Sequence, residues 1–280
     1  MARNHRSSHN STTSKLWEGH YARKQFGQNF LCDEQVITDI VNAIAPENGD
    51  ILVEIGPGLA ALTEPVCDRI SHLNVIEIDR DLAERLRHHP FIRDQLTIYE
   101  EDALKFDFRK LVTESQSLRV YGNLPYNIST PLIFHLMTFG SLIRDMHFML
   151  QKEVVERMIA SPGTGDYGKL SVMSQYYCTM EGLLEVPPYA FRPAPKVYSA
   201  VIRIIPFKEK PFVASDENLL QKVVAGAFNQ RRKTISNSLG DYLKEEDFIK
   251  LDLDPKLRAE NLSVADYVRV TNYLSTRGNT

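Results

Sequence analysis

The chain has 280 residues, 43% of them hydrophobic and 25% charged, with a formal net charge of −3. That is ordinary globular composition, and the length suggests one large or two unequal domains with ample core. No apolar run of about eighteen residues is present, so no spanning helix is expected.

Residues 1–16 are rich in Ser, Thr, Asn and His and contain no acid, so they are expected to form a disordered extension. A helix is expected over residues 28–44, stopped by Pro46. Next, Ile51-Leu52-Val53-Glu54-Ile55 forms a β-branched strand run that breaks at Gly56-Pro57-Gly58, before a helix-like stretch at residues 59–70. Strand, glycine turn and helix make a nucleotide-binding corner, in which Gly56 and Gly58 let the backbone approach a ligand. The third glycine of G-x-G-x-x-G is absent, because Ala61 stands there. A ligand without phosphates is therefore favoured over a dinucleotide.

The second strand, residues 73–79, ends in acids about twenty residues after the turn, where a ribose diol is gripped, and Glu77 is the better placed of them. A third strand, residues 96–99, ends in Glu100-Glu101-Asp102. Asp102 is placed to accept a hydrogen bond from an adenine amino group. Each acid alone is most simply a solvated strand end, but four features at the ends of four successive strands converge where α/β sheets bind ligands.

The fourth feature is Asn123-Leu124-Pro125-Tyr126, after the apolar run at residues 118–121. By itself the tetrapeptide is a strand-ending turn. In this company it suits methylation of an exocyclic amine. The Asn123 amide oxygen and the Leu124 carbonyl can accept the two N6 hydrogens of adenine, while Tyr126 stacks on the base. The order of the four features resembles class I S-adenosylmethionine-dependent methyltransferases, a Rossmann-like α/β fold.

Beyond residue 160, Gly163-Thr164-Gly165-Asp166-Tyr167-Gly168-Lys169 imitates a P-loop, but Leu170 follows where Ser or Thr would hold magnesium, and no strand precedes it. A flexible loop near the substrate mouth is expected instead, with Lys169 as a phosphate contact. In the Pro-rich segment 187–196, Phe191 between basic neighbours reads as a base-stacking wall. Strands at residues 183–186 and 197–205 close the sheet, the last one inserted. After Pro211 only helices are expected, the first opening at Ser215-Asp216-Glu217. The expected units are a sheet domain, 17–208, and a small all-helical domain, 209–280.

These motifs give the chain a close resemblance to the ribosomal RNA adenine dimethyltransferase family, small-subunit branch, over residues 19–273. Its carriers are Lys24-Gln25-Phe26-Gly27-Gln28-Asn29-Phe30-Leu31, Glu54 to Gly58, Gly122 to Ile128, Leu150 to Val154 and Phe228 to Lys233. The resemblance implies that Asn29, Leu31, Gly56, Glu77, Asp102 and Asn123 line the S-adenosylmethionine site, and that Tyr126 and Phe191 hold the target adenine. It also implies the substrate: two neighbouring adenosines in the 3′-terminal hairpin loop of small-subunit rRNA within an immature 30S particle, with S-adenosylhomocysteine as by-product.

An acidic total is an unusual advertisement for an RNA binder, yet charge is segregated. From Ala190 onward 15 Lys+Arg stand against 11 Asp+Glu, and phosphate binding depends on local patches. The candidates are Arg23-Lys24, Lys169, Arg192, Lys196 and Arg231-Arg232-Lys233, although a basic triplet is usually a solvated face. Cys32, Cys67 and Cys178 are scattered without a C-x-x-C pair, which supports neither disulfide nor zinc and fits a reducing cytoplasm. No metal, no membrane association and a monomer are expected. Three rivals stand beside this reading: a catalytically idle assembly factor, a large-subunit rRNA methyltransferase and a nicotinamide-dependent oxidoreductase.

Overall fold

The computed structural model describes residues 16–17, 20–21, 28–113, 116–230 and 232–277. Most of the expected N-terminal extension, together with Arg23, Lys24 and Arg231, lies outside the described residues. Residue 16, assigned to that extension, is instead paired in a small strand.

In chain order the first elements are β1 (Leu16–Trp17), β2 (His20–Tyr21), β3 (Phe30–Leu31), α1 (Glu34–Ile44), β4 (Ile51–Ile55), α2 (Thr63–Cys67), β5 (Leu73–Ile76), α3 (Arg80–Arg87) and β6 (Leu96–Tyr99). They continue as β7 (Leu118–Asn123), α4 (Ser129–Met137), β8 (Ile143–Gln151), α5 (Lys152–Ile159), α6 (Lys169–Tyr177), β9 (Cys178–Val186), β10 (Phe191–Arg192) and β11 (Ser199–Pro206). Helices α7 (Glu217–Asn229), α8 (Ile235–Ser238), α9 (Glu245–Lys250) and α10 (Val264–Arg277) complete the chain.

Seven strands form one sheet in the order β6-β5-β4-β7-β8-β11-β9. Neighbours from β6 to β8 are parallel, and β11 runs antiparallel between β8 and β9. The inserted final strand is as expected. Helices cover both faces, so β4 and β7 are buried on both sides and read as near-continuous apolar runs. Strand alternation divides β4: Val53 and Ile55 enter the core that contains α4 residues Leu132 and Leu136, while Leu52 enters the core of α1 residues Ile40, Val41 and Ile44. After β4 the chain builds β5 and β6 on one side and then returns to place β7 and β8 on the other. The reversal opens a crevice at the carboxyl ends of β4 and β7, which is where open α/β sheets bind ligands.

Several helices are shorter than their patterns suggest. The segment 28–44 opens with β3, and α1 begins only at Glu34, where the Asp33 carboxylate accepts from the amides of Gln35 and Val36. Of residues 59–70 only Thr63–Cys67 is helical, because Ala60 takes a left-handed φ of 69° and holds the chain in a turn. Asp216, rather than Ser215, caps α7 by accepting from Leu219 N.

The glycine-rich loop before α6 is not a free element at the substrate mouth. Tyr167 is fully buried among the C-terminal helices, and Gly163 N donates to the carbonyl of Glu260. Those helices share one core with α6: Val172, Met173 and Tyr176 pack with Leu220, Val224, Tyr267 and Val270. Both Tyr176 and Tyr177 hydroxyls donate to the Glu217 carboxylate, which fastens α6 to the start of α7.

Candidate active site

The crevice is a cavity of about 330 Å³. Its floor is the glycine turn. Gly56 and Gly58 have φ of 67° and 59°, a left-handed region that side chains rarely adopt. Gly56 N donates to Ile76 O at 2.9 Å, tying the turn to β5. Gly58 N donates to Glu77 Oε2 at 3.2 Å, so the turn also orients the expected diol ligand.

Glu77 is 4% exposed, and its other oxygen accepts from Asp79 N at 2.9 Å. Burial pushes its carboxyl up to about 7, against the opposing pull of the Asp79 and Gly58 amides. Glu54 lies beside it on β4, fully buried, and accepts from the Tyr121 hydroxyl at 3.0 Å. Its carboxyl is also raised to about 7, first by burial and further by the Glu77 charge. At the end of β6, Asp102 is partly open to the cavity, and its Oδ1 accepts from Leu104 N at 3.0 Å.

The opposite wall follows β7. Gly122 runs so close to β4 that an added Cβ would stand 2.3 Å from Ile55 O, so only glycine fits there. Asn123 comes next, and its Nδ2 donates to Asn29 O at 3.0 Å. With the amide nitrogen committed, the oxygen is the atom left to receive a donor. Leu124 N is bonded to Met149 O on β8, which fixes the backbone at that residue. The half-buried Tyr126 shares a 2.8 Å hydrogen bond with Ser199 Oγ at the start of β11, and burial raises its phenol above the usual range.

Nine expected residues thus line one cavity: Asn29, Leu31, Gly56, Gly58, Glu77, Asp102, Asn123, Leu124 and Tyr126. Phe191 does not line it. It is 1% exposed, because the β10–β3 pairing sets it opposite Leu31 and its ring packs in the core with Val186, Ala190 and Tyr121. Lys169, Arg192, Lys196, Arg232 and Lys233 are exposed and outside the cavity lining. Sequence reasoning passed over Glu54, Phe30 and Ile78, which also line it. Ile78 had a legible signal, since an apolar residue between Glu77 and Asp79 at a strand end has no core to enter. It is 50% exposed.

The ribosomal RNA adenine dimethylase family profile matches residues 19–276. "Ribosomal RNA small subunit methyltransferase A" of Yersinia enterocolitica is 57% identical over 94% of this chain and 97% of its own, and the Proteus mirabilis protein of the same name is 56% identical over the same shares. Two solved structures share the fold. A dimethyladenosine transferase from Plasmodium falciparum superposes with TM-score 0.74 at 23% identity, covering 89% of this chain and 98% of its own. The 23S rRNA methyltransferase ErmE gives TM-score 0.68 at 22% identity, covering 88% and 100%. A profile match over nearly the whole length, joined to a cavity that gathers Asn123 with the glycine turn and two acids, places the chain in the ribosomal RNA adenine dimethylase family.

Proposed function

We propose that the chain dimethylates N6 of two adjacent adenosines in the 3′-terminal hairpin loop of small-subunit rRNA, within an immature 30S particle, using S-adenosylmethionine and leaving S-adenosylhomocysteine. The two relatives above 55% identity carry the small-subunit name, whereas the large-subunit enzyme shares only the fold at 22%. The observation that carries the chemistry is the Asn123–Asn29 hydrogen bond, which leaves an acceptor oxygen at the cavity wall.

The cavity suits this cofactor. Its described lining contains Glu54, Glu77, Glu101 and Asp102 but no Lys or Arg, so it favours a cationic ligand without phosphates. A pyrophosphate would find four acids and no cation in that lining, which argues against the oxidoreductase reading. Glu77 would hold the ribose hydroxyls, Asp102 the adenine amino group, and Ile78 an apolar ring face. When bound, S-adenosylmethionine supplies a methyl group on a positively charged sulfur.

The target adenine is a poor nucleophile, because its N6 lone pair is delocalised into the ring. Asn123 Oδ1 and the Leu124 carbonyl accept the two N6 hydrogens, which turns the lone pair out of conjugation and toward the cavity. Both acceptors are fixed beforehand, Asn123 by Asn29 and Leu124 by Met149, so little reorganisation is needed as charge develops. Tyr126, braced by Ser199, holds the base after it leaves its stack. The N6 proton is lost after positive charge has formed, and no dedicated general base is required. After the first transfer one N–H remains for the same acceptors.

Exposed Lys169, Arg192, Lys196, Arg232 and Lys233, with Arg23, Lys24 and Arg231, are proposed phosphate contacts. Among the described residues no helix is long and apolar enough to cross a membrane, and no cluster of His, Cys, Asp or Glu could hold a metal ion. A cytoplasmic monomer is the proposed working form. The test is transfer of labelled methyl to immature small subunits, large subunits and naked rRNA. Label confined to small-subunit RNA as dimethyladenosine is expected; label on large subunits alone would overturn the substrate assignment.

A further inference from the structure

The segment at residues 187–198 carries four prolines, two cations and two exposed tyrosines. Tyr189 is 69% exposed and Tyr198 52%. Two large rings are thus left in water on a proline-stiffened strip. The strip is joined to the cavity at two points. Phe191 and Arg192 pair with Leu31 and Phe30, which line it, and Ser199, the residue after Tyr198, holds the Tyr126 hydroxyl.

The only charged side chains on the strip, residues 187–198, are cations. Arg192 spends one nitrogen on the carbonyls of Tyr189 and Phe191, and no acid among the described residues pairs with it or with Lys196. The cavity itself is lined by four acids. A polyanion is therefore repelled from the cavity and attracted to the strip, so a target base can enter while its backbone stays outside. Exposed aromatic faces interleaved with cations are the chemistry of single-stranded nucleic-acid platforms. We propose that Tyr189 and Tyr198 are stacking platforms for unpaired bases flanking the target adenosine, with Arg192 and Lys196 on the adjoining phosphates. This deepens the functional reading above and rests on RNA as the substrate.

The test compares Tyr189→Ala and Tyr198→Ala with Tyr189→Phe and Tyr198→Phe. Affinity for a single-stranded oligoadenylate RNA is measured at several salt concentrations, and KM for immature small subunits on the same preparations. Each alanine variant should lose about 5-fold to 100-fold in RNA affinity, with KM rising more than kcat falls, and each phenylalanine variant should recover it. The salt slope should stay at the wild-type value in all four and fall in Arg192→Ala with Lys196→Ala, because stacking releases no counterions. Cofactor affinity by calorimetry should not move. Alanine variants that bind like wild type, or phenylalanine variants that lose as much as alanine, overturn the proposal. A wild-type protein that binds oligoadenylate through these rings but methylates no rRNA would instead overturn the functional reading alone.

Discussion

Asn123 Nδ2 donates to the backbone carbonyl of Asn29 across 94 residues of sequence, at 3.0 Å. The loop before β3 and the end of β7 are thereby one rigid unit, and the hydrogen bond decides which end of the amide faces the cavity. Asn123→Ala should lower kcat about 100-fold to 1000-fold, the typical loss for one preorganised polar contact to a reacting centre. Asn123→Asp keeps acceptor oxygens but turns the anchor into a repulsion with the Asn29 carbonyl. It too should fall steeply, with subunit binding retained in both. Methyl incorporation and binding measured on one preparation check this; near-normal turnover in either variant removes Asn123 from the mechanism.

Glu77→Ala and Asp102→Ala should each weaken S-adenosylmethionine binding and leave RNA affinity nearly intact. The Glu77 carboxyl, raised to about 7 by burial, must be ionised to accept from a diol. Cofactor affinity should therefore rise as pH climbs through about 7 and level off above it, and binding near pH 6.5 should release a proton. Calorimetry in buffers of different ionisation heat reads that proton. Its persistence in Glu77→Gln would assign it elsewhere, with neighbouring Glu54, also raised to about 7, the next candidate.

Gly122→Ala places a methyl 2.3 Å from the Ile55 carbonyl oxygen, a backbone atom that cannot swing aside. Strands β4 and β7 would have to separate at the crevice. A loss of roughly 3 kcal/mol is expected from such overpacking, together with a loss of turnover, since Asn123 is the next residue. Denaturant midpoints and methyl transfer read the two effects. An alanine variant as stable as wild type would show that the strands part freely.

On the far side of the sheet, Arg203 Nε donates to His147 Nε2 at 3.1 Å, which requires a neutral imidazole. Burial, aided by Arg203 and Arg119 and opposed by Asp145, lowers His147 to about 4. The unfolded chain takes up this proton near 6.5 and the folded one does not until about 4, so stability should fall as pH drops through that window. The contribution reaches about 3 kcal/mol at its lower end. His147→Gln, whose carbonyl can receive Arg203, should show a flatter decline in a pH series of thermal midpoints. Parallel declines would place the titration in another group.

The gathering of the proposed cofactor residues in one cavity was legible because the signal is local: each stands near the end of an apolar run, and the run fixes where the chain emerges. Glu77 and Asp102 needed no tertiary information. The burial of Phe191 was not legible, because it depends on β10 pairing with β3, a contact between distant segments that no spacing encodes. Helix lengths failed for a similar reason, as at Ala60, whose left-handed backbone is imposed by the turn around it. The segment that imitates a P-loop follows α5 rather than a strand, and its docking through Tyr167 came from the burial of one aromatic ring.

Strand β11 lies between β8 and β9, and its first residue braces Tyr126. A chain emerging from its own ribosome would place this brace last. The residues that line the cavity all lie at or before residue 128, whereas the sheet cannot close until residue 206 has cleared the exit tunnel. Vectorial synthesis thus separates in time the residues that line the cavity from the strand that braces Tyr126.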